Sequence, residues 1–309
     1  MRIVKYVALG MSFAVMTSWQ PHAASGTTQA SCSVSARSVL KSCKERVVAD
    51  YWLSVGKCQN LSNQSARRKC TLNADGEQLD ALEECGDQDE ARLTVCGQLG
   101  ESSYEPRIRP SDFVGTVDNP YLPYIAGTTS VYEGQTSDGT ERVVVEVTHD
   151  TREILGVPCK VVRDRGYLNG ELTEDTLDYY AQDSLGNVWY FGEISYEIEA
   201  GVIVSVEGSW EAGVNGAYPG IVMPANPMVG DHYRQEFQLG EAEDMGGTLS
   251  LDAAITVPFG SFSGCRQTAD TTPISPGSLE HKFYAPGVGL VAEVDPATGS
   301  RTELISVSH

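Results

Sequence analysis

The sequence has little positive charge: 22 Lys and Arg residues stand against 42 Asp and Glu, which leaves a formal net charge of −20 at pH 7. Nucleic-acid binding needs clustered positive charge to neutralise phosphates, so the composition argues against a nucleic-acid partner. Long apolar runs are also missing. Beyond the N-terminus none reaches the roughly 20 residues that cross a bilayer, and we expect no transmembrane segment in the mature chain.

Recognisable catalytic and cofactor-binding motifs are missing as well. The stretch from Gly260 to Gly264 has the glycine spacing of a nucleophile elbow, but Phe262 stands where the serine is needed. The sequence contains no HExxH zinc helix, no phosphate-binding loop and no dinucleotide-binding glycine pattern. These absences favour a protein without a cofactor that is not an enzyme.

Residues 1–24 have the organisation of a secretory signal peptide. Arg2 and Lys5 provide a charged start, residues 7–16 form a short apolar run, and Ala23 and Ala24 offer small residues for cleavage. The run is too short for a membrane anchor. We therefore expect a secreted or periplasmic protein.

An exported chain meets an oxidising compartment, where an even number of cysteines indicates disulfides. The first six cysteines are separated by 11, 15, 12, 15 and 11 residues, a palindrome about the centre of the third interval. Intervals of 11 and 15 residues are close to three and four helical turns. Two antiparallel helices would therefore bring the cysteines together at matching heights. The nested pairing is Cys32–Cys96, Cys43–Cys85 and Cys58–Cys70.

Six cysteines allow fifteen pairings, and the spacing favours the nested one. The local sequence agrees, because no proline occurs between Pro21 and Pro106 and the polar residues suited to a turn lie at 59–64. We predict a disulfide-linked α-hairpin at 30–100 and a linker at 101–111. The remaining two cysteines, Cys159 and Cys265, are predicted to form a fourth bridge within the region that follows.

Beyond the linker the pattern of apolar residues changes from helical to alternating. Val143, Val145 and Val147 share one face of a strand, and Gly, Asn and Asp turns separate the alternating runs. We predict ten to twelve short strands, forming an antiparallel β-barrel or a curled half-barrel at 112–309. The complete fold is then α+β, a helical hairpin followed by an antiparallel β-domain.

Aromatic residues cluster around one predicted β-hairpin, which suggests a ligand pocket on a curved sheet. The alternative is that they form the core and cross-strand pairs. The candidate binding residues are Tyr180, Trp189, Phe191 and Trp210.

Acidic residues on a glycine-flanked loop provide a second candidate site. Glu241, Glu243 and Asp244 carry the oxygen ligands that calcium prefers, although a solvated charged loop has the same composition. His149, His232 and His281 each lie beside acidic residues and are candidate metal ligands or general bases, or simply surface residues.

Several stretches of the β-domain resemble those of a family of uncharacterised, secreted, β-rich bacterial domains. The stretches are DYYAQD at 178–183, GNVWYFGE at 186–193, GSWEAG at 208–213, PGIVMP at 219–224, VGDHYRQE at 229–236 and YAPGVGLV at 284–291. The resemblance covers about 116–307 and excludes the cysteine-rich hairpin. It implies a β-rich fold and an exported protein, and it assigns no activity and no site residues.

Taken together, these features favour an exported, non-enzymatic binding or interaction protein. Its ligand would be a lipid-like small molecule, a glycan or a protein partner. The alternatives are a secreted hydrolase that uses Asp and Glu or a His–acid pair on the β-domain, and a calcium-binding protein.

Overall fold

A computed structural model describes residues 31–309. The predicted signal peptide at 1–24 lies outside these residues. Within the described part of the chain, no helix is long and apolar enough to cross a membrane.

The cysteine-rich region is an antiparallel pair of helices, α1 (Ser31–Gln59) and α2 (Gln64–Leu99). Asn63 caps α2, where its side-chain oxygen accepts a hydrogen bond from the backbone N–H of Ala66. The turn between the helices falls within the predicted segment at 59–64. The predicted helical hairpin is confirmed.

Three disulfides link the two helices in the predicted nested order. Cys32–Cys96, Cys43–Cys85 and Cys58–Cys70 have Cα separations of 5.6, 5.9 and 5.5 Å, within the usual range for disulfides. Few apolar side chains are buried between the helices, since only Ala36, Cys43 and Cys58 of α1 are buried. The hairpin is therefore held by covalent links in place of a large core.

After α2 the chain runs without helix or strand to a short 3-10 turn at Pro110–Asp112 and then enters a β-sheet of sixteen strands. The strands are β1 (Phe113–Val114), β2 (Thr129–Thr136), β3 (Gly139–Ile154), β4 (Val157–Leu168), β5 (Glu171–Asp183), β6 (Val188–Glu199), β7 (Val202–Ser205), β8 (Trp210–Glu211), β9 (Tyr218–Met223), β10 (His232–Arg234), β11 (Glu236–Phe237), β12 (Met245–Val257), β13 (Gly260–Thr271), β14 (Leu279–Ala285), β15 (Gly289–Val294) and β16 (Arg301–Ser308).

All strand pairs are antiparallel, and the order along the sheet is β10-β12-β13-β14-β15-β16-β2-β3-β4-β5-β6-β9-β11. The first and last strands of this order, β10 and β11, are separated in the chain by Gln235 alone. The two edges of the sheet therefore meet, and the sheet forms a nearly closed antiparallel barrel. The α+β prediction is confirmed.

The two edges of the barrel approach each other closely at Gly220 on β9. A Cβ atom at this position would lie 2.3 Å from the carbonyl carbon of Gln235, a distance that no side chain tolerates. A residue without a side chain is therefore required where the barrel closes.

The fourth predicted disulfide is wrong. Cys159 and Cys265 are both fully buried and unbridged. Cys159 on β4 packs with Val157 and Phe191, whereas Cys265 on β13 belongs to a different cluster of buried residues. Strands β14, β15, β16, β2 and β3 lie between the two cysteine strands, so the two thiols are not on neighbouring strands. Burial raises the pKa of the Cys159 thiol to about 12, which makes it unreactive.

The hairpin and the barrel are joined by buried polar contacts. Arg92 of α2 forms a bidentate ion pair with Glu243 of the loop before β12, with distances of 2.8–3.0 Å. Gln88 donates a hydrogen bond of 2.9 Å to the backbone oxygen of Ile274. In the connecting segment, the Tyr104 hydroxyl donates to the backbone oxygen of Pro219 at 2.8 Å.

Candidate functional site

A cavity of about 250 Å³ lies in the barrel, lined by side chains from strands on both sides of the sheet closure. Its wall combines apolar residues, such as Val147 and Leu290, with many ionisable ones. Cavities with a mixture of apolar walls and converging polar groups are the usual form of small-molecule sites. The cavity is the candidate functional site of the barrel.

Five tyrosines contribute aromatic rings to the cavity wall. They are Tyr124, Tyr132, Tyr180, Tyr190 and Tyr284. The rings of Tyr180 and Tyr190 stack with their centroids 4.7 Å apart, and Tyr124 lies 4.7 Å from Tyr180 on the other side. Three neighbouring rings therefore form a continuous aromatic surface.

Six carboxyl groups line the same cavity, and Lys282 is the only basic side chain among its lining residues. The acidic residues are Asp164, Asp178, Glu236, Asp244, Asp270 and Glu293. The cavity therefore has an excess of acidic groups over basic ones within a partly desolvated space.

Lys282 is surrounded by carboxylates. Its ammonium nitrogen lies 3.1 Å from Glu293, 3.7 Å from Asp270 and 3.7 Å from Glu280. Desolvation opposes the charged form of this lysine, but the attraction of Glu293 and Asp270 outweighs it and raises the pKa of Lys282 well above its usual value. The charge of the lysine is thus already matched by its own neighbours.

Asp178 on β5 is buried and has no basic partner among the ion pairs of residues 31–309. The Tyr190 hydroxyl donates a hydrogen bond of 2.6 Å to its Oδ1 atom. Burial raises the pKa of Asp178 to about 8, with a further contribution from Glu193, and the hydrogen bond from Tyr190 acts in the opposite direction. At neutral pH this carboxyl group is mostly protonated.

Other acidic groups in and around the cavity behave in the same way. Desolvation, with repulsion from Asp178, raises the pKa of Asp164 well above its usual value. Burial also raises the pKa of Glu236 well above its usual value and that of Glu193 to about 7. Burial therefore favours the protonated form of several acidic groups in and around the cavity.

Strand alternation explains how these groups reach one wall. On β5, Asp178 and Tyr180 are two residues apart and share a face. On β4, Val162 and Asp164 do the same, and Val162 is the register partner of Asp178. On the opposite side, Lys282 of β14 is the register partner of Glu293 on β15. The alternation of side chains places two cavity residues on one face of each strand, and closure of the barrel brings the strands of the two pairs around the same cavity.

Of the four aromatic residues predicted to bind a ligand, Tyr180 alone lines the barrel cavity. Phe191 and Trp210 are buried in the hydrophobic core, in agreement with the alternative interpretation. Trp189 packs at the edge of that core, and its indole N–H donates to Asp183 at 2.9 Å. Alternation on β6 points Trp189 away from its cavity-lining neighbour Tyr190.

The predicted calcium ligands do not converge. Glu243 is engaged by Arg92 and also accepts a hydrogen bond from the backbone N–H of Gly240. Glu241 accepts from the backbone N–H of Gly208, and Asp244 lines the barrel cavity. Among residues 31–309 no group of three or more His, Cys, Asp or Glu side chains is arranged to hold a metal ion. The three candidate histidines are likewise not gathered into such a group.

Sequence reasoning missed most of the cavity. The motifs and clusters of the sequence do not identify Asp164, Asp178, Asp270, Lys282 or Glu293, which all lie within strands. Asp164 and Glu293 each follow a valine on the same strand face, Val162 and Val291. A charged residue on the apolar face of a strand was the available signal.

No family model, curated protein or solved structure matches this chain.

Proposed function

We propose that this protein is a binding protein and that its ligand is a small organic cation, with a protonated amine, held in the barrel cavity. The main support is the composition of the cavity wall, which contains six carboxyl groups and one ammonium group, that of Lys282. This ammonium group is already paired with Glu293. A positive charge placed there would lower the pKa of the unmatched carboxyl groups, and each group that ionises would then attract the ligand.

The tyrosine surface supports the same ligand. A cation near the face of an aromatic ring is attracted by the ring quadrupole, by about 0.5–2 kcal/mol depending on desolvation. The hydroxyl of Tyr190 donates to Asp178, and the ring of Tyr190 stacks on that of Tyr180. The carboxyl group and the aromatic surface therefore lie within reach of one ammonium group. The cavity of about 250 Å³ is smaller than the 300–1,000 Å³ typical of drug-sized ligands, so the ligand is small.

The setting we propose is the periplasm or the cell exterior. The support is the three hairpin disulfides, which form and persist in oxidising compartments. The signal-like sequence at 1–24 and the resemblance of 116–307 to secreted bacterial domains agree with it.

Isothermal titration with cyclohexylammonium, compared with the neutral cyclohexanol, tests the proposed function. We expect the amine to bind with one site per chain and the alcohol at least tenfold more weakly. Affinity should increase from pH 6 to pH 9, because binding releases the proton of Asp178. Equal affinity for the amine and the alcohol would contradict the proposal.

Asp178→Asn should flatten this pH dependence and weaken amine binding about tenfold. Asp252→Asn is the matched control, since it makes the same substitution at an exposed residue that does not line the barrel cavity. Calcium chloride serves as a second control. We expect no increase in Tm with calcium, since the acidic loop residues do not form a common site.

A hydrolase is the second candidate, favoured by one observation. Asp178 holds a proton at neutral pH, and Glu293, ion-paired with Lys282, lines the same cavity. A protonated acid and a carboxylate facing one space are the groups that glycoside hydrolysis requires. A panel of nitrophenyl glycosides tests this alternative, which predicts turnover that Asp178→Asn abolishes and Asp252→Asn leaves unchanged.

A further inference from the structure

A second cavity, of about 260 Å³, lies between the helical hairpin and the barrel. Its hairpin wall contains the Cys32–Cys96 disulfide and Arg92, and its barrel wall contains Arg234 and Phe237. The cavity is therefore assembled only where the two parts of the molecule meet.

Arg234 contributes to this cavity a buried positive charge that forms no ion pair within residues 31–309, although the charge of Glu243 acts on it from beyond contact distance. The residue is 8% exposed, and its guanidinium lies 4.5 Å from the ring centre of Phe237 and 5.5 Å from that of Tyr104. Within residues 31–309 its guanidinium forms no ion pair and no hydrogen bond, and its Nε atom is buried without a partner. Residues 1–30 contain no Asp or Glu and supply no carboxylate either.

Arg92 leaves a second buried donor free at the same cavity. Its Nε and Nη2 atoms donate to Glu243, but its Nη1 atom is buried without a partner, and the residue is 4% exposed. Glu243 already receives these bonds and that of the Gly240 N–H. The remaining acidic residue of the wall, Glu105, is exposed and accepts from the Tyr218 hydroxyl. Two guanidinium groups thus share one buried carboxylate.

A buried, unpaired guanidinium is costly, and in a protein with a net charge of −20 it is not explained by overall charge balance. Planar guanidinium donors match carboxylate geometry, in which two parallel N–H groups bind two oxygens. The rest of the wall is mixed. Its apolar part is formed by Ala36, Val95, Phe237, Leu239 and Pro273, and serine and tyrosine hydroxyl groups line the remainder. A matching ligand has a carboxylate at one end and an apolar body at the other.

We infer that the junction cavity is a binding site for a small organic carboxylate, whose anionic group is held by Arg234 together with the free donor of Arg92 and whose apolar body contacts Val95 and Phe237. This site is separate from the barrel cavity and opposite to it in charge. It does not depend on the function proposed for that cavity.

Titration of the oxidised protein with benzoate and its neutral analogue benzamide, in a low-chloride buffer, tests the inference. We expect benzoate to bind with a Kd in the millimolar range or below and to raise Tm, and benzamide to bind at least tenfold more weakly. Arg234→Gln should lower the affinity for benzoate at least tenfold, and Arg234→Lys should retain part of it. Arg68→Gln removes the same charge at the exposed tip of the hairpin and should leave binding unchanged.

The outcomes separate the alternatives. Equal binding of benzoate and benzamide would overturn the inference, because the cavity would then be merely apolar. Unchanged benzoate affinity in Arg234→Gln would overturn it as well, as would binding of inorganic phosphate without benzoate. If Arg234→Gln fails to fold, Phe237→Leu supplies the test, since it retains both arginines and should weaken benzoate more than acetate. Amine binding in the barrel cavity should persist in all these variants, which distinguishes the two sites.

Discussion

The Tyr190 hydroxyl donates a 2.6 Å hydrogen bond to Asp178, and both side chains line the barrel cavity. This hydrogen bond favours the ionised carboxylate, but the effect of burial is larger and raises the pKa of Asp178 to about 8. At neutral pH this buried acid therefore mostly carries its proton.

Asp178→Asn should stabilise the protein, and increasingly so as pH rises. The pKa of Asp178 is about 8 in the folded state and near 3.8 in the unfolded state. The contribution of this residue to the free energy of unfolding is therefore fully present below pH 3.8 and is lost as pH rises through 8. The asparagine removes this loss. We expect a gain in the free energy of unfolding on the order of 2–5 kcal/mol at pH 8 and a much smaller one at pH 5. Urea denaturation at both pH values measures it, and an equal gain at each would contradict the assigned pKa.

The denatured mass of the oxidised protein should correspond to three disulfides and two free thiols. Bridges Cys32–Cys96, Cys43–Cys85 and Cys58–Cys70 remove six hydrogens, while Cys159 and Cys265 retain theirs. A thiol reagent should label two cysteines after unfolding and none before it, because both are fully buried. Loss of eight hydrogens would instead support the fourth bridge.

Replacing Cys43 and Cys85 together by alanine should destabilise the helical hairpin. Their bridge closes a loop with a sequence separation of 42 residues, and removal of such a constraint costs about 2–4 kcal/mol. The measurement is chemical denaturation followed by far-ultraviolet circular dichroism. The double replacement of Cys159 and Cys265 by alanine is the control for sulfur loss, and it should leave the hairpin disulfides intact by mass.

Arg92→Met should be strongly destabilising, because it leaves Glu243, which is 1% exposed, without its partner. Breaking one side of a buried ion pair costs about 3–5 kcal/mol. Adding Glu243→Leu to Arg92→Met should recover most of this loss, since no buried charge then remains unpaired. The free energy of unfolding and the rate of proteolysis at 100–109 measure the effect. Additive losses in the double variant would show that the pair does not couple the hairpin to the barrel.

Gly220→Ala should disturb the closure of the barrel. The added methyl group would meet the backbone of Gln235, and backbone atoms cannot move aside as a flexible side chain can. We expect a loss of at least about 2 kcal/mol in stability. Gly264→Ala is the comparison, since no atom lies within 4 Å of its added Cβ. Only the φ angle of +65° at this residue opposes that substitution.

Much of the fold could be predicted because it is encoded locally. The cysteine intervals match whole helical turns, and each bridge then follows from the helix period and the antiparallel fold of the hairpin. The strands are equally local, since alternation and turn residues mark them without reference to distant parts of the chain.

The candidate site could be predicted only in part, because both faces of several strands are buried. On β6, Val188, Tyr190 and Phe191 are all buried, so alternation cannot tell the cavity side from the core side. Tyr180 was identified from its neighbours in sequence, but Phe191 and Trp210 belong to the core.

The sequence by itself determined the hairpin with its nested disulfides, the antiparallel class of the β-domain and the acidity of the chain, since these depend on short-range periodicity and composition. Tertiary structure decided which charges meet. Asp164, Asp178, Glu236, Asp270 and Glu293 lie on five different strands, β4, β5, β11, β13 and β15. Only closure of the barrel brings them around one volume. Packing also places Cys159 and Cys265 in separate clusters of buried residues, and docking of the hairpin brings Arg92 to the cavity that Arg234 lines. Such distances are set by long-range packing, which the local spacing of residues does not encode.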